Sequence, residues 1–219
     1  MEEQNPLFKE IKGLKNWIKC LKCDVNVTLK DAETLGCPSC KTLYKKTDNE
    51  RAEEKIELSK YLSSFQIKLL MRDILPISKI EEKLFVGNAV AASSFNILKN
   101  NGITHIINVC FELPCFFPTL FKYLHLRLKD EREENFYNQF KQICEFVDEE
   151  ERRNEKSKFL FHCVQGQSRS VTALMCVLIH RSPGKRVEEI LEQVERKKPN
   201  ASPNQTFIKQ LEEWSLKLD

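Results

Sequence analysis

The sequence predicts an α/β domain with a central, mostly parallel sheet and helices on both faces, preceded by a small cysteine-rich module. From residue 77 onward, short apolar runs alternate with helical patterns, an alternation typical of parallel sheets covered by helices. Two Cys-x-x-Cys pairs lie within the first 45 residues, and a charge-dense stretch follows them. We therefore expect three parts: a cysteine module at 1–45, a linker with an amphipathic helix at 46–76, and the main domain at 77–219.

Composition excludes some classes of function. Hydrophobic residues make up 41% of the 219 residues and charged residues 31%, which suits a packed core in water. A net charge of +3 gives no reason to expect nucleic acid or a membrane surface as partner. No apolar run approaches the roughly 20 residues that span a bilayer, and the N-terminus lacks the pattern of a signal peptide. We expect a cytoplasmic or nuclear protein with reduced thiols.

Four cysteines have the spacing of a metal site. They form the pairs KCLKC and GCPSC, with thirteen residues between the pairs: Cys20, Cys23, Cys37 and Cys40. Two such turns present four thiolates to one tetrahedral Zn²⁺, and the segment between them is long enough for a β-hairpin. We expect a structural zinc in a zinc-ribbon-like module, because four thiolates leave no position open for substrate. Two disulfides, redox pairs or a rubredoxin-like iron site are the alternatives.

The linker gains apolar residues after its charged start, and its pattern predicts an amphipathic helix ending before Pro76. Its charges are typical of a solvated face. A helix over 52–72 that docks a protein partner is the alternative, and the cysteine module is a second candidate for partner binding.

Regular elements of the main domain follow from the pattern of apolar residues. Four runs are typical of strands: KLFVGN (83–88), THIINVC (104–110), KYLHLRL (122–128) and KFLFHC (158–163). Five stretches are typical of helices: 89–99, 135–152, 169–181, 186–197 and 204–217. Ligands bind such sheets at the carboxyl ends of the strands, which directs attention to the residues after His162.

The loop from Cys163 to Arg169 has the residues of an anion site that faces a thiol. A short loop that enters a helix N-terminus turns its backbone N–H groups towards one anion, and Gly166 permits the tight turn. Arg169 can offer a planar guanidinium to two anion oxygens, and the same positive field favours a thiolate nucleophile at Cys163. Ser170 can hydrogen-bond the sulfur. These features predict phosphoryl transfer through a cysteinyl-phosphate.

A nucleophilic thiolate also needs an acid to protonate the leaving oxygen. The strand KYLHLRL is followed by Asp130, which begins an acidic loop at the same edge of the sheet. We expect Asp130 to be this acid and later the base that activates water. The next acidic residues, Glu131, Glu133 and Glu134, are interpreted as loop charge.

The motif HCVQGQSRS resembles the His-Cys-x5-Arg-Ser signature of cysteine-dependent protein phosphatases, in the protein tyrosine phosphatase superfamily. Residues of about 77–217 are similar to the dual-specificity subgroup. KLFVGNAVAASSFNILKNNGITHIINV resembles its opening strand, helix and second strand, LRLKDEREENF its general-acid loop, and PNQTFIKQLEEW the entry to its final helix. The resemblance implies a dual-specificity-phosphatase-like fold. Its catalytic residues would be Cys163, Arg169, Asp130 and Ser170.

The resemblance further implies that Asn108 supports the phosphate-binding loop, and we expect His162 to orient that loop through backbone carbonyls. Gln165 departs from the family, which usually has Ala there, and the family's zinc-binding regions more often follow the catalytic domain. The phosphate-binding loop comprises Cys163, Val164, Gln165, Gly166, Gln167, Ser168 and Arg169.

The variable positions of this loop carry no cation, whereas relatives that act on inositol lipids usually carry Lys there and RNA 5′-triphosphatases favour a more basic surround. We therefore expect phosphorylated proteins as substrates, with phosphotyrosine and phosphoserine/threonine both accepted and no catalytic cofactor. A phosphoinositide phosphatase, an RNA 5′-phosphatase and a non-catalytic phosphate-binding adaptor are the alternatives. A disulfide between an oxidised Cys163 and Cys110 or Cys115 is left open by the sequence.

Overall fold

The computed structural model describes residues 17–19, 26–28, 57–70 and 76–218. The chain forms two compact units, residues 1–51 and 52–219, so their division falls inside the predicted linker.

In the first unit, β1 (Trp17–Lys19) pairs antiparallel with β2 (Asn26–Thr28). The four cysteines predicted to bind zinc lie outside the described residues. So does most of the hairpin predicted between the two cysteine pairs, and its described part, β2, pairs with residues that precede Cys20.

The described part of the second unit begins with a 3₁₀ turn (Leu58–Lys60) and helix α1 (Ser64–Leu70). Ser63 starts α1 through a reciprocal cap: its N–H donates to Gln66 Oε1 at 2.9 Å, and its Oγ accepts from the Gln66 N–H at 3.3 Å. Leu62 and Leu70 are buried in the core of the domain. The amphipathic helix predicted here is thus divided, within the described residues, because the cap at Ser63 begins a new helix.

Five strands form the sheet of the second unit: β3 (Ile77–Lys79), β4 (Leu84–Gly87), β5 (His105–Asn108), β6 (Lys122–His125) and β7 (Phe159–His162). Their order is β3-β4-β7-β5-β6, and all pairs are parallel except the antiparallel pair of β3 with β4. The predicted central, mostly parallel sheet is confirmed. The edge strand β3 was not predicted, because three residues are too few to show a period of two.

Six further helices accompany the sheet: α2 (Ala89–Ala92), α3 (Phe95–Asn100), α4 (Tyr137–Arg153), α5 (Arg169–Arg181), α6 (Val187–Glu195) and α7 (Gln205–Ser215). The single helix predicted at 89–99 is two helices, since the Ser94 side chain accepts from the Ile97 N–H and caps α3. No helix in the described part of the chain is long and apolar enough to cross a membrane.

Side chains of successive strand residues enter two different cores. Leu84 and Val86 of β4 join the larger core with α4 to α7, whereas Phe85 joins the smaller core with α2 and α3. Helix α5 is buried from Arg169 to Ile179, so it runs through the interior of the larger layer. Because β7 is the central strand, the loop from β7 to α5 opens at the middle of the carboxyl edge of the sheet.

Candidate active site

The loop between β7 and α5 surrounds the sulfur of Cys163. Cys163 is 1% exposed, and its Sγ accepts the Gly166 N–H at 3.2 Å. The Ser170 hydroxyl lies 3.4 Å from the same sulfur. Two hydrogen-bonding groups therefore contact Sγ, one from the loop and one from the first turn of α5, as expected for a site that stabilises a thiolate.

Two features of position 166, its backbone conformation and its close approach to Gly87, require glycine. Its φ is +72°, in the region that side chains rarely adopt, and an added Cβ would lie 2.7 Å from the Gly87 carbonyl oxygen. The loop also accepts the Ala89 N–H at Val164 O (2.9 Å) and the Ser202 N–H at Gln167 O (2.9 Å). Backbone contacts with two separate segments, the connection from β4 to α2 and the stretch around Ser202, thus fix the shape of the loop.

The Arg169 guanidinium is 4% exposed and is held from one side. Its Nη1 donates to Glu112 Oε2 at 2.6 Å and to Leu128 O at 2.9 Å. Burial alone would lower the pKa of Arg169, but the neighbouring Cys163 and Glu112 raise it overall. Nε has no hydrogen-bond partner among the described residues, so an edge of the guanidinium remains for the oxygens of an anion.

Glu112 is a component of the site that the sequence analysis did not identify. Burial alone would raise its pKa, but its hydrogen bond to Arg169 and the charge of that residue lower it. The one signal for it in the sequence is an acidic side chain four residues after the end of β5. Pairing through Nη1 orients the guanidinium before any anion binds, so Glu112 is a positioning residue.

Asn108 contacts a different loop from the one expected. Its Nδ2 donates to Leu113 O (3.0 Å) and Pro114 O (3.2 Å), and its Oδ1 accepts from the Cys110 N–H at 3.0 Å. His125 Nε2 lies 3.2 Å from Cys110 O. These contacts hold the loop that carries Glu112, so Asn108 supports the phosphate-binding loop indirectly, through Glu112 and Arg169.

Asp130 lies at the rim of the loop. Its Oδ1 accepts from the Ser168 hydroxyl at 2.8 Å, and its Oδ2 is 3.6 Å from Arg169 Nε. Ser168 Oγ in turn accepts from the Asn204 N–H at 3.2 Å, and Asn204 Nδ2 donates to Glu131 O at 3.3 Å. The entry to α7 therefore ties the Asp130 loop to the phosphate-binding loop through Ser168 and Asn204, a link that no local sequence pattern indicates.

His162 is fully buried and neutral. Burial lowers its pKa to about 3, and an interaction with the Cys163 backbone offsets only part of this effect. Neither ring nitrogen has a full hydrogen bond among the described residues, and the interaction with the Cys163 backbone is the contact of the ring with the loop. The backbone of His162 also supports the loop, since His162 pairs with Asn108 across the sheet and accepts from the Val109 N–H at 3.1 Å.

Cys110 is a buried free thiol whose pKa is raised, by burial first and then by the charge of Cys163. Cys115 is also free and is partly exposed. The disulfide that the sequence left open is therefore absent here between the described cysteines. No group of three or more His, Cys, Asp or Glu side chains among the described residues is arranged to hold a metal ion.

The structure brings the predicted catalytic side chains together on three elements. Cys163, Arg169 and Ser170 lie between β7 and the first turn of α5, and Asp130 follows β6. Val164 and Ser168 are buried parts of the loop wall, whereas Gln165 and Gln167 are partly exposed. A nucleophilic thiol, a guanidinium and a carboxyl thus surround one position suited to a tetrahedral anion.

Comparison with known proteins agrees with this arrangement. The family described as "Dual specificity phosphatase, catalytic domain" matches residues 84–217. Dual specificity protein phosphatase 1 of Arabidopsis thaliana is 33% identical over 165 residues, which cover 75% of this chain and 81% of that protein. Protein phosphatase Slingshot of Drosophila melanogaster is 31% identical over 142 residues, 65% of this chain but 13% of that much longer protein.

Among solved structures, the human tyrosine phosphatase-like serine/threonine/tyrosine-interacting protein superposes with a TM-score of 0.58 at 28% identity. The match covers 64% of this chain and 95% of that chain. The matched residues contain the complete thiol loop, its arginine and the Asp130 loop. The chain therefore belongs to the dual specificity phosphatase family.

Proposed function

We propose that this phosphatase removes phosphate from phosphotyrosine and from phosphoserine/threonine on proteins, through a phosphocysteine at Cys163. The observation that carries this proposal is the convergence of three groups on one loop. Cys163 Sγ accepts the Gly166 N–H, Arg169 leaves its Nε without a hydrogen-bond partner among the described residues, and Asp130 lies 3.6 Å from that nitrogen. An adaptor that only binds phosphate has no need of the thiol or the carboxyl.

In the first step the Cys163 thiolate attacks phosphorus while Arg169 and the loop N–H groups hold the phosphate oxygens. The bond from phosphorus to the leaving oxygen breaks, and the carboxyl proton of Asp130 passes to that oxygen. The hydrogen bond from Ser168 to Asp130 Oδ1 fixes the carboxyl group, and Oδ2 lies beside the guanidinium that holds the phosphate. The product of the step is a free tyrosine, serine or threonine side chain and the phosphocysteine.

In the second step water attacks the phosphocysteine and gives its proton to the Asp130 carboxylate. The phosphorus–sulfur bond breaks, and its electron pair returns to Sγ as a thiolate. The Ser170 hydroxyl and the Gly166 N–H, both in contact with Sγ, stabilise that charge. Inorganic phosphate then leaves, and no cofactor takes part in either step.

Protein substrates are favoured by the charge of the loop. Its variable residues (Val164, Gln165, Gln167 and Ser168) are neutral, so the pocket neutralises one phosphate through Arg169 and the backbone. A headgroup or RNA end with several phosphates would need further cations in the same loop. A phosphoinositide or an RNA 5′-phosphate substrate is therefore the weaker alternative.

The test is release of inorganic phosphate from matched phosphotyrosine, phosphothreonine and inositol-lipid substrates by wild-type protein and by Cys163→Ser. We expect hydrolysis of both peptides by the wild type and none by the variant. Wild-type protein that binds phosphopeptides without hydrolysing them would show an adaptor. Preferential hydrolysis of the inositol lipid would show that proteins are not the preferred substrates.

We also propose that Cys20, Cys23, Cys37 and Cys40 hold one structural zinc and that this module or the 52–72 segment binds a protein partner in the cytoplasm or nucleus. Support comes from the spacing of the cysteines and from the antiparallel pairing of β1 with β2, the two strands that flank Cys20 and Cys23 in the sequence.

Metal analysis of the full-length Cys163→Ser protein is expected to find one zinc per chain, which a further Cys37→Ser and Cys40→Ser change abolishes. A metal-free Cys163→Ser protein would contradict the proposal.

A further inference from the structure

Phe111 is a large apolar side chain left in solvent beside the active site, with 46% of its surface exposed. Its backbone N–H donates to Leu128 O at 3.0 Å. The same carbonyl oxygen accepts from Arg169 Nη1 at 2.9 Å. One oxygen atom therefore ties the Phe111 backbone to the guanidinium that binds phosphate, and Phe111 immediately precedes Glu112.

Two cations lie over the Phe111 ring, from the residues on either side of Leu128. The Arg127 guanidinium carbon is 4.8 Å from the ring centroid, and Lys129 Nζ is 5.8 Å from it. We call Phe111, Arg127 and Lys129 the aromatic–cation patch. Cation–π contacts at such distances orient the cation over the ring face without consuming its hydrogen-bond donors, so both cations can still bind an acid.

The cations of the patch have weak partners or none in the described part of the chain. Arg127 makes no ion pair there, and within those residues its contact is with the Phe111 ring. Lys129 Nζ lies 3.7 Å from Glu131 Oε1, with both side chains more than half exposed. Exposed pairs of this kind contribute only about 0–1 kcal/mol, so a ligand carboxylate can replace Glu131 at little cost.

Most charged side chains near the phosphate position, apart from Arg169, are acidic. Glu112 and Asp130 flank Arg169, and the loop that Asp130 begins continues with three glutamates and one arginine: Glu131, Arg132, Glu133 and Glu134. The aromatic–cation patch is thus a localised positive surface beside the phosphate position. Each of its residues is next in sequence to Glu112 or Leu128, the two residues that hold Arg169. An acidic side chain near the phosphorylated residue matches this surface, and a basic one does not.

We propose that the aromatic–cation patch selects phosphopeptides with Asp or Glu close to the phosphorylated residue, an inference that rests on the proposed function. An extended peptide advances about 3.3 Å per residue, so a patch joined to Arg169 through Leu128 is reached by the nearest few neighbours of the phosphorylated residue. The Arg127 guanidinium pairs with the acidic side chain while the Phe111 ring packs against the stem of that side chain.

The experiment measures kcat/KM on three phosphotyrosine peptides of equal length, flanked by Glu, Gln or Lys. The variant is Arg127→Glu in the full-length chain. Its control is Arg152→Glu, which reverses the charge of another exposed arginine, at the C-terminal end of α4. Glu150 of the same turn contacts His105 at the start of β5, so Arg152 lies at the opposite edge of the sheet from the active site. The small substrate p-nitrophenyl phosphate reports the chemistry without flanking residues.

For the wild type we expect roughly tenfold preference for the Glu peptide over the Lys peptide. Arg127→Glu should remove or reverse this preference with p-nitrophenyl phosphate hydrolysis within about twofold of wild type, and Arg152→Glu should retain it. Equal wild-type rates on the three peptides, or an unchanged preference in Arg127→Glu, would overturn the inference and leave the proposed function standing. Preference for an inositol lipid or an RNA 5′-triphosphate over every peptide would overturn both.

Discussion

Replacement of Gly166 by alanine tests whether the shape of the thiol loop, rather than its residue types alone, supports catalysis. A φ of +72° costs an alanine roughly 1–2 kcal/mol. The new Cβ would also lie 2.7 Å from Gly87 O, against about 3.4 Å for ordinary contact, so the two backbones must separate by about 0.7 Å. Misplacement of about 1 Å in a catalytic site costs about 100-fold in rate.

Gly184→Ala is the matched control, because Gly184 has a φ of +82° but nothing within 4 Å of an added Cβ. Both variants should lose a similar 1–2 kcal/mol of unfolding free energy in urea, with any excess in Gly166→Ala coming from the clash. Hydrolysis of p-nitrophenyl phosphate should fall about 100-fold in Gly166→Ala alone. If that variant retained kcat/KM within threefold of wild type, or if Gly184→Ala lost as much, the geometric explanation would be wrong.

Three further predictions concern single side chains. Asp130→Asn should slow hydrolysis of phenyl phosphate by about 100-fold or more and that of p-nitrophenyl phosphate far less, because a good leaving group needs no proton; equal losses on both would exclude Asp130 as the acid. Glu112→Gln should weaken inhibition by inorganic phosphate roughly tenfold, since the charged partner of Arg169 Nη1 becomes neutral; an unchanged inhibition constant with lower stability would show a purely structural pair. His162, with its pKa lowered to about 3, resists protonation in the folded chain while the unfolded chain takes up a proton below about pH 6.5. The free energy of unfolding should therefore fall by about 1.6 kcal/mol from pH 6.5 to pH 5, and the His162→Asn protein should not show this decrease; identical pH dependence in the two proteins would contradict the assignment.

Elements defined by local apolar runs were predictable, and elements defined by capping or edge pairing were not. The runs KLFVGN and KFLFHC became β4 and β7 because buried parallel strands need continuous apolar residues. The break between α2 and α3 depends on one hydroxyl, that of Ser94. It is visible in the sequence as a pair of serines, but an apolar period of 3.6 continues across it.

The part of the site that lies along one segment was readable from the chain, and the part assembled across segments was not. Cys163, Gly166 and Arg169 share seven consecutive residues, so their spacing alone predicts an anion loop. Glu112 reaches Arg169 from 57 residues away, and Asn204 reaches Ser168 from 36 residues away. Such contacts depend on how loops at the carboxyl edge fold back, which no local pattern records.

The supports of the thiol loop have a consequence for how the protein can change during evolution. The contacts of Val164 O with Ala89 and of Gln167 O with Ser202, and the approach of Gly166 to Gly87, do not involve the sulfur. Loss of the Cys163 thiol therefore removes the nucleophile, while these contacts still hold the phosphate-binding loop in shape. A single substitution therefore separates hydrolysis from binding. Through it, a phosphatase can evolve into a protein that binds phosphorylated residues and shields them from other phosphatases.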